Sequence, residues 1–124
     1  MDILIRGTAG QPIYEQIARQ IQAQIVSGEL EPGAALPSIR ALARDLKISV
    51  ITTKRAYDEL EAAGFVRTVA GKGCFVAAEN LDLIRERKAR EMEGHLSAAA
   101  ELARGLGLSR EDVSRTLDLL WDEP

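Results

Sequence analysis

The sequence predicts a mostly helical protein that carries one small β-ribbon. Three observations lead there. Apolar residues recur every third or fourth position along most of the chain, the mark of amphipathic helices. One stretch breaks that period: Phe65-Val66-Arg67-Thr68-Val69 and Cys74-Phe75-Val76-Ala77 are strand-like runs on either side of Ala70-Gly71-Lys72-Gly73. Just before it, two helical patterns are separated only by Lys47-Ile48, too short for a loop, so the chain must turn sharply.

In order, residues 2–6 (DILIR) are expected as a short strand and residues 7–10 as a linker. Pro12 suits a first helical turn, where its missing N–H costs nothing. Ile13, Ile17, Ile21 and Ile25 then recur every fourth residue, joined by Tyr14 and Ala18. That row reads as core, and the helix as the scaffold on which the next two helices pack. Gly28 stops it, and residues 29–35 form a Pro-Gly loop. Pro37 and Ser38 open the next helix, with Ser38 as N-cap. Its apolar face is Ile39, Leu42, Ala43 and Leu46, and Arg40 and Arg44 lie off that face. Ser49 is a second N-cap. The helix it opens runs to Ala63, where Gly64 is placed to end it. Thr53, Ala56, Leu60 and Ala63 make its buried stripe; Ile51, Lys54, Arg55 and Asp58 point the other way, with Val50 beside them.

The tail begins near Glu79. Asn80 is a cap for a helix to Leu106 whose face is Leu81, Ile84, Met92, Leu96, Ala99, Leu102, Ala103 and Leu106, with a kink at Gly94 and an end at Gly107. Ser109-Arg110-Glu111-Asp112 is a capping signature for a last helix carrying Val113, Leu117, Leu120 and Trp121 on one side. Two amphipathic helices in so short a segment cannot bury their own apolar faces. A second copy is the expected cover, which makes Leu81, Ile84, Met92, Leu96, Leu102, Leu106, Val113, Leu117, Leu120 and Trp121 a dimerisation face. The alternative is a tail folded back on its own first domain. The expected organisation is therefore residues 1–78 as a winged helix-turn-helix and residues 79–124 as a two-helix dimerisation segment.

The chain has 124 residues and a formal net charge of −3. The distribution matters more than the sum: residues 37–76 hold 7 Lys or Arg against 4 Asp or Glu, and residues 79–124 hold 7 against 11. A local field governs a binding face. With no long apolar run and no leader pattern, the sequence is expected to be cytoplasmic and off the membrane. One cysteine, Cys74, cannot form an internal disulfide and reads as a small strand residue; a redox-sensing wing is the alternative. No metal-ligand spacing, nucleophile–base arrangement or phosphate loop appears, so neither a cofactor nor an enzymatic activity is expected.

Two short helices, a tight turn and a Gly-Lys-Gly-tipped ribbon make a winged helix-turn-helix. On the second helix Lys54 and Arg55 lie in the early turns, and Asp58, Glu59 and Glu61 come later. A helix that enters a major groove by its N-terminal end wants that order. Val50 and Ile51 are apolar where a solvated helix should be polar, and contact with thymine methyl groups would account for them. Lys72 and Arg67 make a basic wing. A plainer account exists: Lys54–Asp58 and Arg55–Glu59 are spaced to support any exposed helix, and Val50 and Ile51 could be buried under the preceding helix.

LPSIRALARDLKIS, then TTKRAYDELEAAGFV, then GKGCFV, resembles the GntR family of bacterial transcriptional regulators over residues 11–78. The short helical tail resembles the YtrA-type subfamily. The resemblance implies a dimer, an operator of two half-sites, usually repression, and targets that include transporter genes or the chain's own operon. By position it implies that Ser38 and Arg40 hold the DNA backbone. Ser49, Thr52 and Lys54 fall on the recognition helix, and Gly71 and Lys72 on a wing tip that reaches the minor groove. Val50 departs from the basic residue many members carry there, which fits a thymine methyl better than a guanine.

The expectation is a homodimeric repressor that occludes a promoter. Ser38, Arg40, Ser49, Val50, Ile51, Thr52, Lys54, Arg55, Arg67, Gly71 and Lys72 would form the DNA face, and a small-molecule effector could lodge near Met92, Leu96 and Trp121. The competing class is a winged-helix module that grips another protein.

Overall fold

A computed structural model describes residues 1–7, 10–77 and 81–122. The elements are α1 (Ile13–Ser27), α2 (Ile39–Leu46), α3 (Val50–Ala62), β1 (Val66–Val69), β2 (Gly73–Val76), α4 (Leu81–Gly105) and α5 (Arg110–Trp121). The chain is mostly helical with a single two-stranded ribbon, as expected. The expected Asn80 cap and the start of the tail at Glu79 lie outside the described residues. There are two compact units, Met1–Ile84 and Arg85–Pro124.

The first unit is built on α1. Ile17, Ile21 and Ile25 are fully buried and pack with Leu42, Ala56, Tyr57, Leu60, Phe65, Val66 and Val76. Each buried Ile, Leu, Val or Phe side chain among them stabilises by about 1.5–3 kcal/mol relative to exposure. Ile13 drops out of the expected core row at 37% exposure, at the first residue of the helix. The buried stripe of α3 also shifts: Thr53, Ala56 and Leu60 are inside, Ala63 is exposed, and Tyr57 is buried. Its hydroxyl, donating to the Pro37 carbonyl at 2.7 Å, makes that burial affordable.

The turns follow local chemistry. The Ser38 hydroxyl accepts from the Ala41 N–H at 3.1 Å, and Ser49 from Thr52 at 3.0 Å. Between α2 and α3, Lys47 takes a left-handed φ of 58°, and the Lys47 and Ile48 amides return to the Arg44 and Ala43 carbonyls. That geometry reverses the chain with no loop.

The ribbon is antiparallel, with Val66 opposite Val76 and Thr68 opposite Cys74. The Lys72 N–H closes its tip on the Val69 carbonyl at 2.9 Å, and Gly71 has the φ of 75° that a type II turn requires at its third position. The expected loop before α2 also has a structural part. Leu36 N–H donates to Cys74 O, and Val76 N–H to Ala34 O, both at 2.9 Å, which docks β2 on the body of the unit.

Residues 2–6 are extended but form no strand with a neighbour. A ladder of glutamines on α1 takes the place of one. Leu4 N–H donates to Gln20 Oε1 (2.8 Å) and Leu4 O accepts from Gln20 Nε2 (2.6 Å). Gln16 does the same for Arg6 at 2.8 and 2.9 Å, and Gln24 Nε2 donates to Asp2 O at 2.7 Å. Four helical residues rise about 6 Å and two extended residues about 6.6 Å, so a glutamine at every fourth helical position meets every second residue of the segment.

Leu81 and Ile84 correct another expectation. Leu81 is 7% exposed within the first unit's core, and Ile84 packs partly buried against it. Leu81 completes the core of its own unit and is not free to face a second chain, and Ile84 turns part of its surface to the same core.

In the second unit α5 has a full capping box, Ser109 with Asp112. Of its described residues only Ala103 is buried. Met92, Leu96, Leu102, Leu106, Leu117, Leu120 and Trp121 are exposed, and Val113 is half-buried. So small an interior cannot support the helices alone.

Candidate nucleic-acid interface

The reading end of α3 is set by Ser49. Its hydroxyl caps the helix and also donates to Thr52 Oγ1 at 2.8 Å, while the fully buried Thr53 anchors the first turn through Oγ1 to the Ser49 carbonyl at 3.1 Å. With the turn pinned from inside, Val50 and Ile51 project outward at 48% and 81% exposure. Burial under α2 is thereby excluded for Ile51. An isoleucine this exposed at a helix start gains nothing from its own fold.

The cations around it differ in their freedom. Lys54 pairs with Asp58 at 2.7 Å, an exposed contact of little energetic weight. The expected Arg55–Glu59 pair is not made. Arg55 lies over the Tyr14 ring at 3.8 Å and its Nη2 donates to the Tyr14 hydroxyl at 3.1 Å. Tyr14 packs half-buried against the core, as expected, and also becomes the rest on which a surface guanidinium is held. Arg40, Arg44, Lys47, Arg67 and Lys72 are exposed, and among the described residues none of them pairs with an acid. Ser38 is exposed at the start of α2, Thr52 is half-buried, and Gly71 is exposed at the wing tip.

Glu61, expected as a plain outer acid, ties the wing to the reading helix: its Oε2 accepts from the Thr68 N–H at 2.6 Å. Cys74 sits half-buried opposite Thr68, and burial pushes its thiol up from the ordinary value, further from the reactive thiolate. That environment speaks against a redox-sensing wing.

Sequence reasoning missed Tyr14 and Glu61. Tyr14 stands 41 residues from Arg55, and nothing in either neighbourhood signals the pair. Among the described residues no helix is long and apolar enough to cross a membrane.

Residues 13–76 match the family model of bacterial regulatory proteins, gntR family. YhcF of Bacillus subtilis, an HTH-type transcriptional regulator by name, is 40% identical over 108 residues, 85% of this chain and 86% of that protein. The HTH-type transcriptional repressor YtrA of the same organism is 37% identical over 75 residues, 60% of this chain and 58% of that one. The crystal structure of the AraR DNA-binding domain in complex with operator ORX1 superposes with a TM-score of 0.55 at 28% identity, covering 62% of this chain and 96% of that one.

Proposed function

The chain belongs to the GntR family of bacterial regulatory proteins, and from that premise we propose that it is a cytoplasmic homodimeric repressor that occludes a promoter. The coarser function, an HTH transcriptional regulator and not an enzyme, comes with the family. The observation that carries the finer reading is the outward-facing first turn of α3. Ile51 is 81% exposed there, on a unit where Arg40, Arg44, Lys47, Arg67 and Lys72 have no acid partner among the described residues. Buried apolar groups cost nothing to explain; this one needs a ligand.

In this reading α3 enters the major groove. Val50 and Ile51 meet thymine methyls, and Thr52 and Lys54 reach polar edges or phosphate. Arg40, with the amides that Ser38 and Ser49 order, holds the backbone. Arg55 on its Tyr14 rest is a further phosphate anchor, since a pre-set guanidinium loses less freedom on binding. Arg67 and Lys72 reach the adjacent groove from the wing, whose angle Glu61 sets. Phosphate contacts fix register, and the apolar pair supplies discrimination.

The second unit supplies the dimer. Met92, Leu96, Leu102, Leu106, Leu117, Leu120 and Trp121 are exposed, and a second copy of the same faces would cover them and fix the spacing of two reading helices on two half-sites. Leu81 takes no part in it. A small effector would lodge at that interface, where Met92, His95 and Leu96 line a shallow furrow along α4. The targets follow the YtrA-type pattern, transporter genes or the chain's own operon.

The test is fluorescence anisotropy on the DNA upstream of the protein's own gene, at two salt concentrations, against scrambled DNA of equal length. Tight, sequence-selective binding that weakens steeply with salt is expected. Exposed Val50 and Ile51 also suit a protein-binding module. If no DNA binds at low salt, the repressor reading fails and that second reading takes its place.

A further inference from the structure

Residues 2–6 are a docked edge with one side used and the other open. The N–H and C=O of Leu4 and Arg6 and the C=O of Asp2 face α1 and bond to Gln20, Gln16 and Gln24. In an extended chain alternate residues turn their N–H and C=O to opposite sides. Those of Ile3 and Ile5 therefore point away from α1, and among the described residues they bond to nothing. The side chains alternate as well: Ile3 and Ile5 pack against the core, while Leu4 is 62% exposed. An open row of backbone donors and acceptors is a template for another strand.

The sequence of the segment selects the occupant. Asp-Ile-Leu-Ile-Arg is self-complementary when run antiparallel about Leu4. In that register Asp2 lies opposite Arg6 of a second copy and Arg6 opposite Asp2. Ile3 exchanges both hydrogen bonds with Ile5, and Ile5 with Ile3. Leu4 meets Leu4 as the close, non-hydrogen-bonded pair on the axis. Every open group finds a partner, and both charges find the opposite sign. Asp2 and Arg6 are exposed, and among the described residues neither forms an ion pair within its own chain.

We propose that residues 2–6 pair antiparallel, about a two-fold axis at Leu4, with the same residues of a second copy of this chain. The contact is separate from the helical interface of the second unit and does not depend on DNA binding. It is isologous, as a two-fold contact must be. It also explains why the glutamine ladder holds the segment straight: a pre-ordered edge pairs without first losing its freedom.

The test is a disulfide at the axis. A non-hydrogen-bonded antiparallel pair has Cα atoms about 4.5 Å apart, within the range a disulfide spans. Leu4→Cys is placed in the full chain with Cys74→Ser, so that it carries the sole thiol, and oxidised mildly. Glu31→Cys, an exposed loop position, is the control. Leu4→Cys should crosslink at least about tenfold faster than the control. Adding Asp2→Arg puts like charges opposite each other twice and should slow it roughly tenfold. Adding Arg6→Asp to that variant should restore the rate, as should mixing Asp2→Arg chains with Arg6→Asp chains. The mass of the product shows whether the pairing closes within one dimer or joins two, and either result supports the proposal. A rate equal to the control, or one indifferent to charge reversal, overturns it. So does a purified Leu4→Cys protein that crosslinks only when a different protein is supplied.

Discussion

Ile51→Ala separates recognition from folding more cleanly than any other change in this chain. Ile51 is 81% exposed, so truncation should alter folding stability by no more than about 0.5 kcal/mol. Alanine, the better helix former, offsets part of that. On DNA the account is different. Isoleucine carries three carbons more than alanine, and at about 0.8 kcal/mol per buried CH₂ their full desolvation would contribute about 2.4 kcal/mol. A methyl contact covers one side of the chain, so about 1–2 kcal/mol per half-site is expected, roughly 5- to 30-fold in affinity. The assay is a cycle in anisotropy. Wild type and Ile51→Ala are each measured on the footprinted operator and on operators in which single thymines become deoxyuridine, removing only the methyl. One thymine per half-site should show a coupling of about 1 kcal/mol. If no thymine couples by more than about 0.5 kcal/mol, or if Ile51→Ala weakens scrambled DNA equally, the methyl contact is wrong.

Arg40→Ala should weaken operator and scrambled DNA alike and lower the salt slope by about one, as measured by binding at several salt concentrations; an unchanged slope removes Arg40 from the phosphate contacts. Deleting residues 85–124 should leave a folded monomer with poor operator affinity, read by sedimentation and anisotropy. Deleting residues 79–124 should in addition unfold more easily by about 2–5 kcal/mol, since Leu81 leaves the core. Burial raises the Tyr57 phenol well above its ordinary 10.0, so the folded chain holds a proton that the unfolded chain releases. That stability is complete below pH 10 and falls as pH rises beyond it. Tyr57→Phe, in a Cys74→Ser background to remove the thiol, should show a shallower alkaline loss in denaturant unfolding between pH 8 and 11, at the cost of the hydrogen bond to Pro37.

The sequence by itself determined the caps of α2, α3 and α5 and the glycines that end α1 and follow α3. Ser38 and Ser49 cap as read, Gly28 and Gly64 take left-handed φ values of 91° and 85°, and the Ser109–Asp112 box closes the start of α5. These are interactions within three or four residues, and local chemistry suffices to predict them. The exposure of Ile51 was also legible, because one apolar residue on a polar face is a local anomaly.

Tertiary structure alone decided what each end and each long polar side chain would meet. The apolar period predicted Ile13 and Ala63 inside, but packing runs out at helix ends and leaves both exposed. Tyr57 enters because a carbonyl twenty residues away accepts its hydroxyl proton. The extended segment at residues 2–6 found side-chain amides on α1 instead of a neighbouring strand. Leu81 and Ile84 carry the same helical period as the rest of α4, yet they join the first unit's core. Periodicity states that a face is apolar; only the assembled neighbours state against what. Arg55 on Tyr14 and Glu61 on Thr68 obey the same rule, since a flexible charged side chain takes whichever partner the fold brings within reach.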